Sequence, residues 1–514
     1  MKVSETDPLA LEAHATIRPW RTRLSPLIAV AGFGLTVVAG KAVADGHVQF
    51  AILSVGTLAS LALFHYLELP TWCSLLLVTA VAARGLRDLL GLPEIVDFLH
   101  YPVVFLFALA AADRPPRAAA RSPGRWLGVF LLVVLLSAIA HPDDPMRAVL
   151  FVLIAGETLV VIWAIARWGA DDKTVHTVGI VAILLAAIQI PIAVYQGVAY
   201  GWSDPVQGTL QGHGAGSHVL GGLFALALFV VIAALLAKRI SAVVGGAGVA
   251  VCFGMMLATG SLSVLVIASF AAVFEPLIAP SAKHPGETRR GKLGPILLSV
   301  VVGTSVLILV GTLTSGFYGR VVDLATSGDE PGFDIVWERA TSDPLAMVLG
   351  SGPGTSASRA SLLLVGAEPG SPLEFIGLEP TDLGVALRFA TATQAYGGSV
   401  ESAASSALGI MGDLGIVGIA ALVMLFVALW KRAGRSSSWL APAARAALLL
   451  VVPLSLIDNW LEYPEFAIPF AILIGIVISE TSDRPPQTRV PTAWRNQPRP
   501  GYEAAASSPM QSRG

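Results

Sequence analysis

The sequence predicts an all-α polytopic membrane protein with about fourteen transmembrane helices and a roughly ninety-residue extracytoplasmic lid loop late in the chain. A twelve-span count stays open. Three observations carry this. Of 514 residues, 54% are apolar and only 13% are charged, about half the charge of a soluble chain. The mean hydropathy is +0.72. The apolar residues gather in runs of about 20, the length that crosses a bilayer. An ordinary cytosolic enzyme is excluded on these grounds. Glycine and proline are numerous (51 and 33) but have no period, which excludes a collagen-like chain.

In chain order the predicted spans are 24–42, 48–66, 72–92, 95–112, 126–140, 147–166, 177–199, 218–237, 241–259, 261–278, 294–314, 405–429, 440–457 and 462–480. Arg84, Arg87 and Asp88 interrupt the third, and the fifth is short. Only Thr259-Gly260-Ser261, read as a tight turn, divides the ninth from the tenth. The polar start up to Arg23 has no small-residue cleavage pattern behind the first apolar run, so no cleavable signal peptide is expected. Cys73 and Cys252 lie in apolar stretches and give neither a disulfide framework nor a zinc site.

Charge tests the count independently, because cytoplasmic loops are enriched in Lys and Arg. With the N-terminus in the cytoplasm, 25 of the 33 basic residues fall inside and 8 outside. A wrong count in mid-chain would flip half of these clusters. The predicted organisation is a cytoplasmic segment 1–23, a first part of the bundle 24–314, a loop domain 315–404, a second part 405–480 of three spans, and a disordered cytoplasmic tail 481–514. Both termini are placed in the cytoplasm and the protein in the plasma (inner) membrane. The loop holds eleven acids and four arginines. Within it, Asp334 to Met347 reads as a surface helix anchored by Trp337, followed by the Gly- and Pro-rich stretch Gly350–Gly354.

Polar groups within spans are costly to bury and are weighed one by one. Glu157, midway along the sixth span, reads as a proton-relay or substrate-binding carboxylate, or as a carboxyl hydrogen-bonded inside the bundle. Gln189 and Gln196 read as helix-to-helix hydrogen bonds. The outer-face arginines Arg84, Arg87, Arg147 and Arg320 run against the positive-inside rule. Arg84 and Arg87 are one turn apart and share a face, and a guanidinium fork suits a pyrophosphate. The plainer alternative is snorkelling, or pairing with Asp88, Asp97, Asp143 or Asp144. The Gly-rich loop from Gly208 to His218 could bring backbone N–H groups to an anion, with His213 and His218 as bases. These two histidines make a poor metal site, and no metal or cofactor is expected. Glu401, at the mouth of the twelfth span, could act as a general base, although a carboxylate at a helix N-terminus is also favoured for its charge alone.

The order of these features resembles the O-antigen ligase and polymerase family over roughly residues 125–475. The matching pieces are Asp334-Ile335-Val336-Trp337, Gly350-Ser351-Gly352-Pro353-Gly354, and Glu401-Ser402 leading to Gly412-Asp413-Leu414-Gly415 and Gly418. Gly208-Thr209 through Gly222 and Thr259-Gly260-Ser261 also look similar. The resemblance implies a metal-independent membrane glycosyltransferase in surface polysaccharide assembly. It would take a glycan from an isoprenoid-pyrophosphate carrier and pass it to an acceptor glycan or lipid. Arg320, Arg339, Arg84, Arg87 and Arg147, with His213 and His218, would bind pyrophosphate or glycan, and Glu401 would be catalytic. Membrane lipids and cell-envelope assembly proteins are the other partners implied; nucleic acid is not. The chain departs from the family at Asp334, Leu262 and Gln207, where the family carries arginine, and its large loop has no histidine.

Two rival readings stand beside this one. The first is a transporter with Glu157 as its intramembrane coupling group, against which no internal repeat is visible. The second is a non-catalytic scaffold, for which the departures are the argument.

Overall fold

The structure is a computed structural model that describes residues 67–142, 145–202, 205–210, 216–278, 331–366, 378–386 and 405–480, with short pieces between 35 and 58. The predicted span 294–314, most of 24–42 and of 48–66, the N-terminal segment and the C-terminal tail lie outside the described residues.

The described chain is helical and without strands. Its helices are α1 (Leu69–Val81), α2 (Ala83–Leu90), α3 (His100–Ala112), α4 (Arg121–Ala140), α5 (Pro145–Trp168), α6 (Asp172–Tyr200), α7 (Gly216–Leu236), α8 (Ala242–Ala258) and α9 (Leu262–Ile278). Then follow α10 (Pro331–Ser342), α11 (Pro344–Leu349), α12 (Arg359–Gly366), α13 (Ser406–Ala433), α14 (Ala441–Ile457) and α15 (Pro464–Ser479). Among the described residues, six helical stretches are long and apolar enough to cross a membrane, seven if the bent pair α1–α2 counts as one. The helices α8, α9, α14 and α15 are apolar but shorter.

Sequence punctuation sets the boundaries. Asp171 and Ser241 accept hydrogen bonds from the backbone N–H groups of Thr174 and Val244, capping α6 and α8. Prolines stand in the first turns of α1, α11, α14 and α15, where a missing N–H costs nothing. Gly91 ends α2 in the left-handed region (φ 62°).

The core sits around α15. That helix is apolar on every side and buried almost throughout, packed on α5 and α1. Trp460 and Phe466 meet edge to face at 4.9 Å where it begins. The outer helices show the opposite pattern. On α4, Leu132, Leu135 and Ile139 are 53–67% exposed, and on α6, Ile183 and Val198 are 69% and 75% exposed. Continuous apolar faces of this extent are at home against lipid. The architecture is compatible with a polytopic membrane protein.

The third predicted span is broken: α1 and α2 meet at 56°. The break frees backbone carbonyls, and the Thr209 hydroxyl donates to that of Val81 at 3.0 Å. The loop helix anchored by Trp337 needs correction. It is two helices divided at Asp343, and Trp337 is 46% exposed. Val336 and Ala340, four apart and so on one face, are the buried anchors, at 2% and 5% exposure.

Candidate functional site

The bundle has two unlike ends. At one, charges meet in pairs. Arg167 donates to the carbonyls of Ala111 and Ala112 at 2.7 and 3.0 Å, closing α3. Arg445 pairs with Glu275 at 2.5 Å and Lys173 with Glu68 at 2.5 Å. At the other end lies a chain of partly satisfied polar groups, built from two pieces.

The first piece is a clamp. Helix α13 breaks at Gly415 (φ 65°), where any side chain would collide with the Val348 backbone at 2.5 Å. Just before the break, the fully buried Asp413 accepts from Gly354 N–H (2.8 Å), Ser356 N–H (2.7 Å) and the Ser358 hydroxyl (2.5 Å). Ser351 N–H donates to the Gly412 carbonyl at 2.7 Å, and the Ser137 hydroxyl donates to the Asp413 carbonyl at 2.8 Å. The segment from Gly350 to Ser358 thus curls around one carboxylate. Gly350, Gly352 and Gly354 all take positive φ to allow it. The two glycine motifs 350–354 and 412–415, separate in sequence, are two halves of one contact.

The second piece is a buried polar cluster. His100, at the start of α3, is 3% exposed, and its Nδ1 lies 3.0 Å from the Asp97 carbonyl. Its Nε2 faces Glu157 Oε2 at 3.6 Å, and the Tyr101 ring packs 4.0 Å away. Arg359, at the start of α12, lies close enough to act electrostatically on both His100 and Glu157. Its backbone N–H donates to Glu462 Oε2 (2.5 Å) and its guanidinium donates to the Glu462 carbonyl (3.0 Å). That guanidinium also sits 4.9 Å over the Tyr463 ring. Neither carboxylate oxygen of Glu157, nor Glu462 Oε1, nor His100 Nε2 has a hydrogen-bond partner.

Arg84 and Arg87 share a face, as their spacing predicts, and both turn to Asp97, at 3.3 and 2.5 Å. Arg87 also holds Asp88 at 2.7 Å. Arg147 donates to the Glu379 carbonyl at 2.5 Å, while its other terminal nitrogen Nη1 is buried without a hydrogen bond. Nearby, His141 lies 3.9 Å from Asp343. The Leu345 N–H bond to Asp343 holds that carboxyl below the usual carboxylate range. Arg339 is exposed on α10 and His218 is half-buried in the first turn of α7. Arg320, His213 and Glu401 lie outside the described residues.

The glutamines do not bridge helices. Gln196 accepts from the N–H groups of Gln207 and Gly208 and donates to the Gly208 carbonyl. Gln189 accepts from Thr209 N–H at 2.8 Å and donates to its hydroxyl. Both hold the loop between α6 and α7, because unpaired backbone groups there need partners more than another helix does. Ser261, from the Thr-Gly-Ser turn, donates to the Ser217 carbonyl at 3.0 Å, tying that turn to the start of α7.

Beneath these pieces a cleft runs between α4, α5, α13 and α15. Its wall is almost wholly apolar, with Phe130, Leu159, Leu422 and Phe426 among the lining residues. Thr158 and Glu462 are its polar side chains apart from the Trp126 indole.

No protein-family model matches this chain, and no curated protein matches it in sequence. The site is therefore read from its own chemistry. Glu462, Arg359 and His100 carry no local signal: each stands beside a helix end, where charged residues are ordinary. Among the described residues no group of His, Cys, Asp and Glu is arranged to hold a metal ion.

Proposed function

We propose that the chain is a multi-pass plasma-membrane protein of about fourteen spans that acts as a metal-independent glycosyltransferase. It transfers or polymerises isoprenoid-pyrophosphate-linked saccharide at the outer face during surface polysaccharide assembly. The observation that supports this best is the apolar cleft that ends on Glu462, beside Arg359 and under the clamped segment 350–358. An apolar chain and a polar reacting group would meet there, out of bulk water.

In this reading an acceptor hydroxyl oxygen bonds to the anomeric carbon. The bond to pyrophosphate breaks, its electron pair leaving with the phosphate. The hydroxyl proton passes to a carboxylate, for which the sequence offers Glu401. Cations must steady the leaving group. Arg147 and Arg84 both keep a buried nitrogen without a hydrogen bond, but Arg84 and Arg87 are already engaged by Asp97, which leaves Arg147 the better candidate. The sides assigned from charge put both termini in the cytoplasm and loop 315–404 outside.

Purified protein given a lipid-linked oligosaccharide should yield transferred or lengthened glycan. Arg147→Ala should slow turnover about a hundredfold, the usual loss of a charge-stabilising donor. Absence of product from the intact protein would end the proposal. A second reading has its own observation. Glu157 and His100 form a buried pair of proton-exchanging groups, as a coupled transporter needs. Proton-driven uptake that disappears in Glu157→Gln would select it.

A further inference from the structure

We infer that the cleft between α4, α5, α13 and α15 holds the aliphatic chain of an amphiphile whose head carries hydroxyl groups and no phosphate. The occupant is thus the acceptor lipid and not the pyrophosphate carrier. Naming it the acceptor rests on the transferase reading; its binding does not.

Length, wall and head group argue for this occupant. Beyond the break at Gly415 the α13 lining runs from Gly418 to Leu429, roughly 16 Å at the helical rise and about the length of an extended twelve-carbon chain. The wall offers nothing to a polar chain. An extended hydrocarbon chain, by contrast, gains dispersion contacts along its whole length.

The head end decides the chemistry. Glu462 is 2% exposed and lines the cleft. Its Oε2 is taken by the Arg359 N–H, and its Oε1 is buried without a hydrogen bond. A buried carboxylate oxygen calls for a donor. A sugar or alcohol hydroxyl supplies one. A phosphate would bring a full charge to be desolvated at this buried, mostly apolar end. Thr158 stands beside it, its own hydroxyl directed at the Leu461 carbonyl (3.5 Å), with its oxygen able to accept.

The test uses the full-length protein in lipid nanodiscs and two photoreactive probes with the same dodecyl chain. One carries a glucoside head and the other a phosphate head. The glucoside should crosslink to α5 and α13 near Ala155, Leu422 and Phe426, and unlabelled dodecyl glucoside should compete. Ala421→Phe, which fills the cleft away from the head, should abolish this labelling. Glu462→Gln should weaken it up to about tenfold, the scale of one hydrogen bond. Labelling by the phosphate probe as strong as by the glucoside would overturn the inference, as would labelling indifferent to Ala421→Phe. The two readings separate cleanly. If the glucoside binds as described but no glycan is ever transferred, the transferase reading falls and the cleft assignment stands. If glycan is transferred while Ala421→Phe leaves the acceptor KM unchanged, the cleft assignment falls alone.

Discussion

The two ends of the bundle differ in how many polar atoms they leave without a partner. Around Arg167, Arg445 and Lys173 each charge meets an acid or a helix carbonyl. In the opposite half, Arg147, His100, Glu157 and Glu462 each keep a buried atom that no protein group satisfies. Satisfied charge holds a fold together. An unsatisfied buried polar group destabilises it and is expected where a protein handles something other than itself. The functional half is recognised by what its side chains leave undone.

Substitutions can break or sharpen this contrast. The largest effect is expected at the paired end. Arg445→Ala strands Glu275 and should cost about 3–5 kcal/mol, read as a fall in Tm in detergent micelles. Asp413→Ala comes next, since it deprives two buried N–H groups and a hydroxyl of their acceptor. A loss of about 3 kcal/mol is expected, together with new protease cleavage between Gly350 and Ser358. Glu157→Gln should then differ in kind. The change removes a carboxylate with no hydrogen bond to lose, so stability should stay within about 1 kcal/mol or rise. A drop as large as that of Arg445→Ala would mean Glu157 is structural and would erase the contrast.

The smallest effect belongs to Asp171, an exposed cap. The side-chain and backbone hydrogen bonds from Thr174 lower its pKa. A lowered folded pKa contributes stability above the ordinary carboxylate range, and that stability is lost as pH falls through the folded value. Asp171→Ala should therefore cost under about 1 kcal/mol at neutral pH and nothing in acid, measured by thermal unfolding across pH.

Much of the helical frame can be read from the sequence because span length and punctuation are local. The predicted limits 147–166 and 218–237 meet α5 and α7 within two residues. The glycine motifs at 350–354 and 412–415 are equally visible as punctuation. That one wraps a carboxylate carried by the other is a tertiary fact with no local trace. The Trp337 anchor fails for a related reason: aromatic size signals burial, but the helix phase, set by Val336 and Ala340, decides which face turns inward. Arg84 and Arg87 show the reverse case. Their spacing correctly gives a shared face, and the acid waiting on that face is Asp97, one of the pairing partners weighed from the sequence.

The break between α1 and α2 has a consequence for the surrounding lipid. Helix α1 has 13 residues, about 20 Å of rise, against roughly 30 Å of hydrocarbon. Its continuation leaves at 56° and shows Leu89 and Leu90 to the surroundings at 79% and 63% exposure. A segment too short for its bilayer draws the nearby leaflet inward, and a leucine-faced helix lying across the interface keeps it there. In a bilayer crossed by α1, the membrane beside Arg84, Asp97 and His100 would be locally thin. A head group confined to the lipid surface elsewhere would ride down to the level of these buried side chains, and thicker membranes would hold it farther away.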